Sequence, residues 1–189
     1  SVLLPLLLNS VIVAVISSLI ATVIGSAAAI GIHSMGPRLR SFTMGVTNIP
    51  LTNPEIVTGV SLALLFAFAG TMMNLNNILG FATLLIAHIT FNLPYVILSV
   101  MPKLQQMDPA LYEAALDLGC TSRQALVKAT LPEIMPGIAS GFLLAITLSL
   151  DDFIVTAFTR GAGLLSGEKT IDTLSTLVQA KIKKGPIPP

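Results

Sequence analysis

Residues 3–32 read LLPLLLNSVIVAVISSLIATVIGSAAAIGI, an apolar run with no charged side chain in it. It exceeds the roughly 20 residues that a helix needs to cross the hydrocarbon core of a bilayer. In that core a backbone N–H or C=O finds no water, so the segment must pair within itself, as a helix does. The run is continuous rather than alternating, which excludes a barrel strand. Three further stretches repeat the pattern. Residues 42–69 are broken by Pro50 and Pro54 and carry Glu55. Residues 79–100 hold His88, Asn92 and Pro94, and residues 134–158 carry Asp151 and Asp152 near their end. The chain therefore reads as an all-α, polytopic transmembrane helix bundle, one domain over residues 1–189.

Composition agrees. Charged residues make up 10% of the chain, against about 25% in soluble domains. That is too little charge to cover a water-facing surface of this size, so the lipid membrane is the solvent for much of the molecule. A net charge of +1 leaves no nucleic-acid footprint. With a single cysteine, Cys120, no internal disulfide can form. The chain begins with Ser, an apolar run follows without a charged n-region, and the last residues form a loop, so the sequence reads as an interior fragment of a longer membrane protein.

Small residues recur at four-residue spacing at Ala21, Gly25 and Ala29, and again at Gly137 and Gly141. Such spacing lets neighbouring membrane helices approach closely. Loop charge does not decide orientation. The loops at 33–40 and 101–133 carry Arg38, Arg40, Lys103, Arg123 and Lys128, whereas Arg160, Lys169, Lys181, Lys183 and Lys184 follow the last span. Five basic residues on each side are a tie under the positive-inside rule.

The segment between the third and fourth spans is the most informative. Asp108-Pro109 predicts a helix start, with Asp at the N-cap and Pro at the first helical position. The helix Ala110–Leu118 ends at Gly119, a natural C′ residue. Thr121-Ser122-Arg123-Gln124 predicts a capping box opening a second helix, which runs to about Thr130 and is stopped by Leu131-Pro132. Leu111, Ala114, Ala115 and Leu118 make an apolar stripe at helical spacing. A loop this ordered either docks on a partner or packs on its own bundle.

The pattern Glu113-Ala114-Ala115-x3-Gly119, followed after nine residues by Ala129-Thr130-Leu131-Pro132, resembles the EAA motif of ABC importer permeases. Ala129 departs from the family, which usually has a larger aliphatic residue there. Residues 87–95 (AHITFNLPY), 107–109 (MDP) and 148–153 (LSLDDF), together with Ile49-Pro50 and 54–60 (PEIVTGV), are similar to the spermidine/putrescine permease subfamily. The resemblance covers nearly all of the chain. It implies the type I ABC importer permease fold, with the first and last of six spans lying outside this fragment. It also implies a cytoplasmic coupling loop over 103–132, an external segment over 159–189, and a multi-pass place in a bacterial inner (plasma) membrane.

By the same resemblance Glu113, Ala114, Ala115, Gly119, Leu131 and Pro132 are the ATPase-coupling positions. The implied partners are ABC ATPase subunits, a second permease subunit and an extracytoplasmic substrate-binding protein. The chain would be a transport subunit and no enzyme, ATP being hydrolysed by another chain. No cofactor is implied.

Charges at membrane depth supply candidates for a substrate path. A carboxylate there costs roughly 2.5–3.5 kcal/mol on insertion scales. Asp151 and Asp152 either provide anionic partners for a polycation or sit wet at the outer interface. Glu55 either lines a cavity at the Pro54 break or gains only from a helix N-terminus. His88 and Asn92 share a face at i, i+4 and either line a pore, with Tyr95 nearby, or bond between helices. The run GLLSGEKT at 163–170 misses the P-loop pattern, because Glu168 separates Gly167 from Lys169. His33 and His88 lie far apart in sequence with no metal-site spacing. An ion-coupled secondary transporter using Asp151 or Asp152, an ABC permease for another small solute, and a non-transporting scaffold are the competing readings.

Overall fold

The computed structural model describes residues 3–52, 55–72 and 81–151, and every element among them is helical. In chain order these are α1 (Leu3–His33), α2 (Pro37–Thr52), α3 (Glu55–Met72), α4 (Phe81–Gln106), α5 (Pro109–Asp117), α6 (Ser122–Ala125), a π-helical turn (Leu126–Thr130) and α7 (Leu131–Asp151). Helices α1, α4 and α7 pack on one another and form the body; α2 lies against α1 and α4, and α3 against α4.

Helix α1 turns its small and hydroxylated residues inward. Ala14, Ser17, Ala21 and Ala29 are buried, whereas Val11, Leu19 and Val23 are exposed. In water this would be inside out. In lipid no hydrophobic force drives one apolar helix onto another, and close van der Waals packing does the work instead. A Cβ on Gly25 would stand 2.8 Å from Val96 Cγ1. A Cβ on Gly137 would stand 3.0 Å from the Ser99 carbonyl oxygen, and one on Gly141 3.2 Å from Ser99 Cβ. Both small-residue series therefore meet one stretch of α4, with α1 on one side and α7 on the other. Residues deeper in sequence on α1 pair with residues deeper on α4, so these two helices run the same way and α7 runs against them. The buried side of α7 repeats at helical spacing through Ile134, Gly137, Gly141, Ala145 and Ser149.

Three described helical stretches are long and apolar enough to cross a membrane: Ser10–His33, Ala82–Gln106 and Ser122–Asp151. Val57–Met72 is a shorter apolar helix. Of the expected stretch at 42–69, residues 42–52 lie in α2 and residues 55–69 in α3, and residues 53 and 54 lie outside the described residues. Pro50, Pro94, Pro102 and Pro136 sit inside helices, as membrane helices allow where neighbours re-satisfy the freed carbonyls.

The expected stop at Leu131-Pro132 does not occur. The π-turn leads straight into α7, with the Leu131 N–H bonded to the Leu126 carbonyl. Widening the ladder there keeps the Pro132 ring clear of the carbonyl four residues earlier, the contact that otherwise breaks a helix at proline. The ends of α1 and α4 and the start of α7 thus lie at one end of the body, together with α5 and α6. Arg40, on the first turn of α2, reaches the same end, its Nη2 3.8 Å from Met101 Sδ.

Candidate functional site

The α5–α6 pair is built by its caps. Asp108 Oδ1 accepts from the Ala110 N–H at 2.9 Å and opens α5. At the other end Gly119 adopts φ +87°, the left-handed region that favours glycine. The Gly119 N–H bonds the Leu116 carbonyl at 2.9 Å and the Cys120 N–H bonds the Ala115 carbonyl at 3.1 Å. These two bonds form a Schellman closure that satisfies carbonyls a helix end would leave orphaned. The capping box then opens α6: the Thr121 N–H donates to Gln124 Oε1 at 3.0 Å, and the Gln124 N–H donates to Thr121 Oγ1 at 3.4 Å.

None of the α5 residues is buried. At about 100° per residue, Leu111, Ala114, Ala115 and Leu118 point to one side. Pro109, Tyr112 and Glu113 point to the other and line a cleft against the ends of α1 and α4. Leu118 is 85% exposed. The apolar stripe thus faces away from the body, while Glu113 faces back toward it. Ala114 is exposed, Ala115 half-buried, and Gly119 exposed in its turn. Leu131 and Pro132 stand apart from α5, at the head of α7, and connect to it through α6 and the π-turn.

The expected path residues that are described are His88, Asn92 and Tyr95 on α4 and Asp151 on α7. His88 and Asn92 are buried in the three-helix interior. His88 Nδ1 and Ser149 Oγ lie 2.9 Å apart, and Ser149 Oγ lies 3.2 Å from Ser17 Oγ. These contacts chain α4 to α7 to α1. Asn92, fully buried, has neither amide atom hydrogen-bonded. Tyr95 is half-buried, its ring centroid 5.5 Å from that of Phe91 at 52°. Asp151 is exposed at the far end of α7, about 30 Å from Leu131 at 1.5 Å of rise per residue. Glu55 is the first described residue of α3, and its side chain lies outside the described residues. Asp152, the segment 159–189 and the run at 163–170 lie outside them as well.

Sequence reasoning missed Ser17 and Ser149, because serine is common in membrane helices. The signal lay in the spacing of Gly137, Gly141, Ala145 and Ser149, which continues the packed face of α7 to a hydroxyl. It also missed His33, Tyr112 and Thr130 on the cleft behind α5, which only packing brings together.

A membrane-embedded helical body with a capped helix pair at one end is the class of protein that these features define. The chain belongs to the family of binding-protein-dependent transport system inner membrane components, matching it over residues 21–177. Among curated proteins it is 39% identical over 153 residues to the Escherichia coli spermidine/putrescine transport system permease protein PotC, covering 81% of this chain and 56% of that one. It is 36% identical over 156 residues to the Mycoplasma genitalium PotC homolog, covering 82% of this chain and 54% of the relative. It is 36% identical over 179 residues to the Escherichia coli putrescine transport system permease protein PotI, covering 93% of this chain and 60% of the relative. The chain thus spans little more than half the length of these relatives.

Proposed function

We propose that this chain is part of the permease subunit of an ATP-driven importer for polyamines, and that it forms half of the translocation path. The observation that carries the reading is the α5–α6 element. It is a rigidly capped helix pair whose free stripe of Leu111, Ala114, Ala115 and Leu118 points away from the membrane body. Small residues flanked by leucine suit a helix seated in a groove of a partner. The partner is an ATPase subunit on the cytoplasmic side of a bacterial inner membrane, and Glu113, Ala114, Ala115 and Gly119 are the coupling positions. Leu131 and Pro132 carry the motion onward into α7. A second permease subunit completes the path, and an extracytoplasmic binding protein delivers the cargo.

A polyamine is the proposed cargo because the relatives' names specify spermidine and putrescine, and because a polycation needs anionic partners. Asp151, on α7 away from the coupling element, is the leading candidate, and Asp152 and Glu55 are further proposed path groups. His88, Asn92 and Tyr95 contribute from α4. An ion-coupled transporter leaves the capped pair and its outward stripe without a purpose.

The test is ATP-driven uptake of labelled spermidine into vesicles holding the full-length permease with its ATPase and binding-protein partners. Asp151→Asn should reduce uptake of the amine and leave assembly intact. Uptake that continues after ATP depletion and collapses with an uncoupler would replace this reading with the ion-coupled one.

A further inference from the structure

Behind α5 lies a cleft of about 330 Å³, closed by the ends of α1 and α4 and by the π-turn. This is within the range of small-molecule sites, roughly 300–1,000 Å³. Its polar lining comes from three elements. His33 ends α1, Tyr112 and Glu113 stand on the inward side of α5, and the buried Thr130 closes the π-turn. His33 Nδ1 is buried and has no hydrogen-bond partner. Ser34, at the rim, donates its hydroxyl hydrogen to the Ile30 carbonyl at 3.0 Å, so its oxygen is left to accept. The remaining wall is aliphatic, from Leu104, Met107 and Leu126.

Glu113 is the one charged residue on this lining. The Glu113 carboxylate can pair with a cation, the neighbouring hydroxyl oxygens can accept from its N–H groups, and the thioether and aliphatic wall suits a hydrocarbon chain of a few carbons. We infer that this cleft binds a short alkylammonium ion, its ammonium head on the Glu113 carboxylate and the neighbouring hydroxyl oxygens and its chain along Leu104, Met107 and Leu126. Such an occupant ties α5 to the ends of α1 and α4. Because the outward side of the same helix is the proposed ATPase contact, an amine behind it restrains the coupling element. That consequence rests on the function proposed above; the binding itself does not.

Binding is measured on the full-length permease with its ATPase partners in phospholipid nanodiscs. In a tryptophan-free background, Met107→Trp supplies a reporter in the cleft wall, and the sample is titrated with butylamine and separately with butanol. A saturable emission change with butylamine and none with butanol is expected. Glu113→Gln should weaken the response about tenfold, the loss of one hydrogen bond to a charged group. Ser34→Phe, which fills the mouth from an exposed position, should abolish it. Equilibrium dialysis of labelled butylamine, comparing the unsubstituted protein with Ser34→Phe, gives the same answer without a reporter. The inference is overturned by no saturable change, by an equal response to butanol, or by binding that Ser34→Phe leaves intact. Uptake is not part of this measurement, so a permease for another solute still binds amine here, and a polyamine permease with an empty cleft still transports.

Discussion

His88 Nδ1 on α4 and Ser149 Oγ on α7 sit 2.9 Å apart, and the same serine oxygen lies 3.2 Å from Ser17 Oγ on α1. One hydroxyl thus joins all three helices of the body, two residues before Asp151. Hydrogen bonds between membrane helices contribute about 0.6 kcal/mol on average and up to about 1.7. Ser149→Ala should therefore destabilise the full-length protein by an amount in that range, read as the unfolding midpoint in denaturant. A midpoint identical to the parent's would mean that this chain of contacts holds nothing together.

Asn92 presents the opposite case, a buried amide with no partner for either of its polar atoms. Leaving such a group unpaired costs about 1–3 kcal/mol. Asn92→Leu, of similar size, should raise the stability of the fold. If the amide serves the path, the same substitution should lower amine uptake. Stability and uptake moving in opposite directions would mark a group kept for use rather than for folding; a loss of stability would show that the amide is satisfied.

The close approaches to α4 separate the glycines. Gly137→Ala sets a new Cβ against the Ser99 backbone carbonyl at 3.0 Å, and a backbone atom cannot step aside as a side-chain tip can. Overpacking of this kind costs about 1–3 kcal/mol. Gly31, with nothing within 4 Å of its built Cβ, serves as control. Gly31→Ala should be neutral or slightly stabilising, since alanine is the better helix former. Thermal unfolding of the two variants side by side checks the ranking.

Gly119 tests the proposed coupling element by conformation rather than by contact. Its φ of +87° costs a residue with a Cβ about 1–2 kcal/mol, although nothing lies within 4 Å of the built Cβ. Gly119→Val should distort the turn, so that ATP hydrolysis by the assembled complex persists while uptake falls. Gly119→Asn, which tolerates the left-handed region better, should retain more uptake. Equal losses in both variants would point away from turn geometry.

Much of the local structure was legible in the residues. The start of α5 at Asp108-Pro109, its end at Gly119 and the capping box at Thr121–Gln124 all follow from side chains that satisfy backbone groups a few residues away. Near neighbours in sequence are near neighbours in space at such caps, so the reading is local. The continuation through Pro132 was not legible. A proline reads as a stop unless the preceding turn widens, and the π-turn at Leu126–Thr130 carries no residue that announces it.

What the amino-acid order determined alone is the solvent and the helices: long runs without charge must lie in lipid, and in lipid the backbone must coil. It also placed Gly137 and Gly141 on one side of a helix. Only the tertiary structure decided what those sides meet. It set Gly25 and Gly141 both against Val96, placed His88 beside Ser149 across 61 positions, and turned Glu113 toward the body while Leu118 faced out. Rotation and depth of one membrane helix against another are chosen by shape and hydrogen bonding between remote residues. A hydrophobic pattern cannot choose them when every side of the helix is apolar.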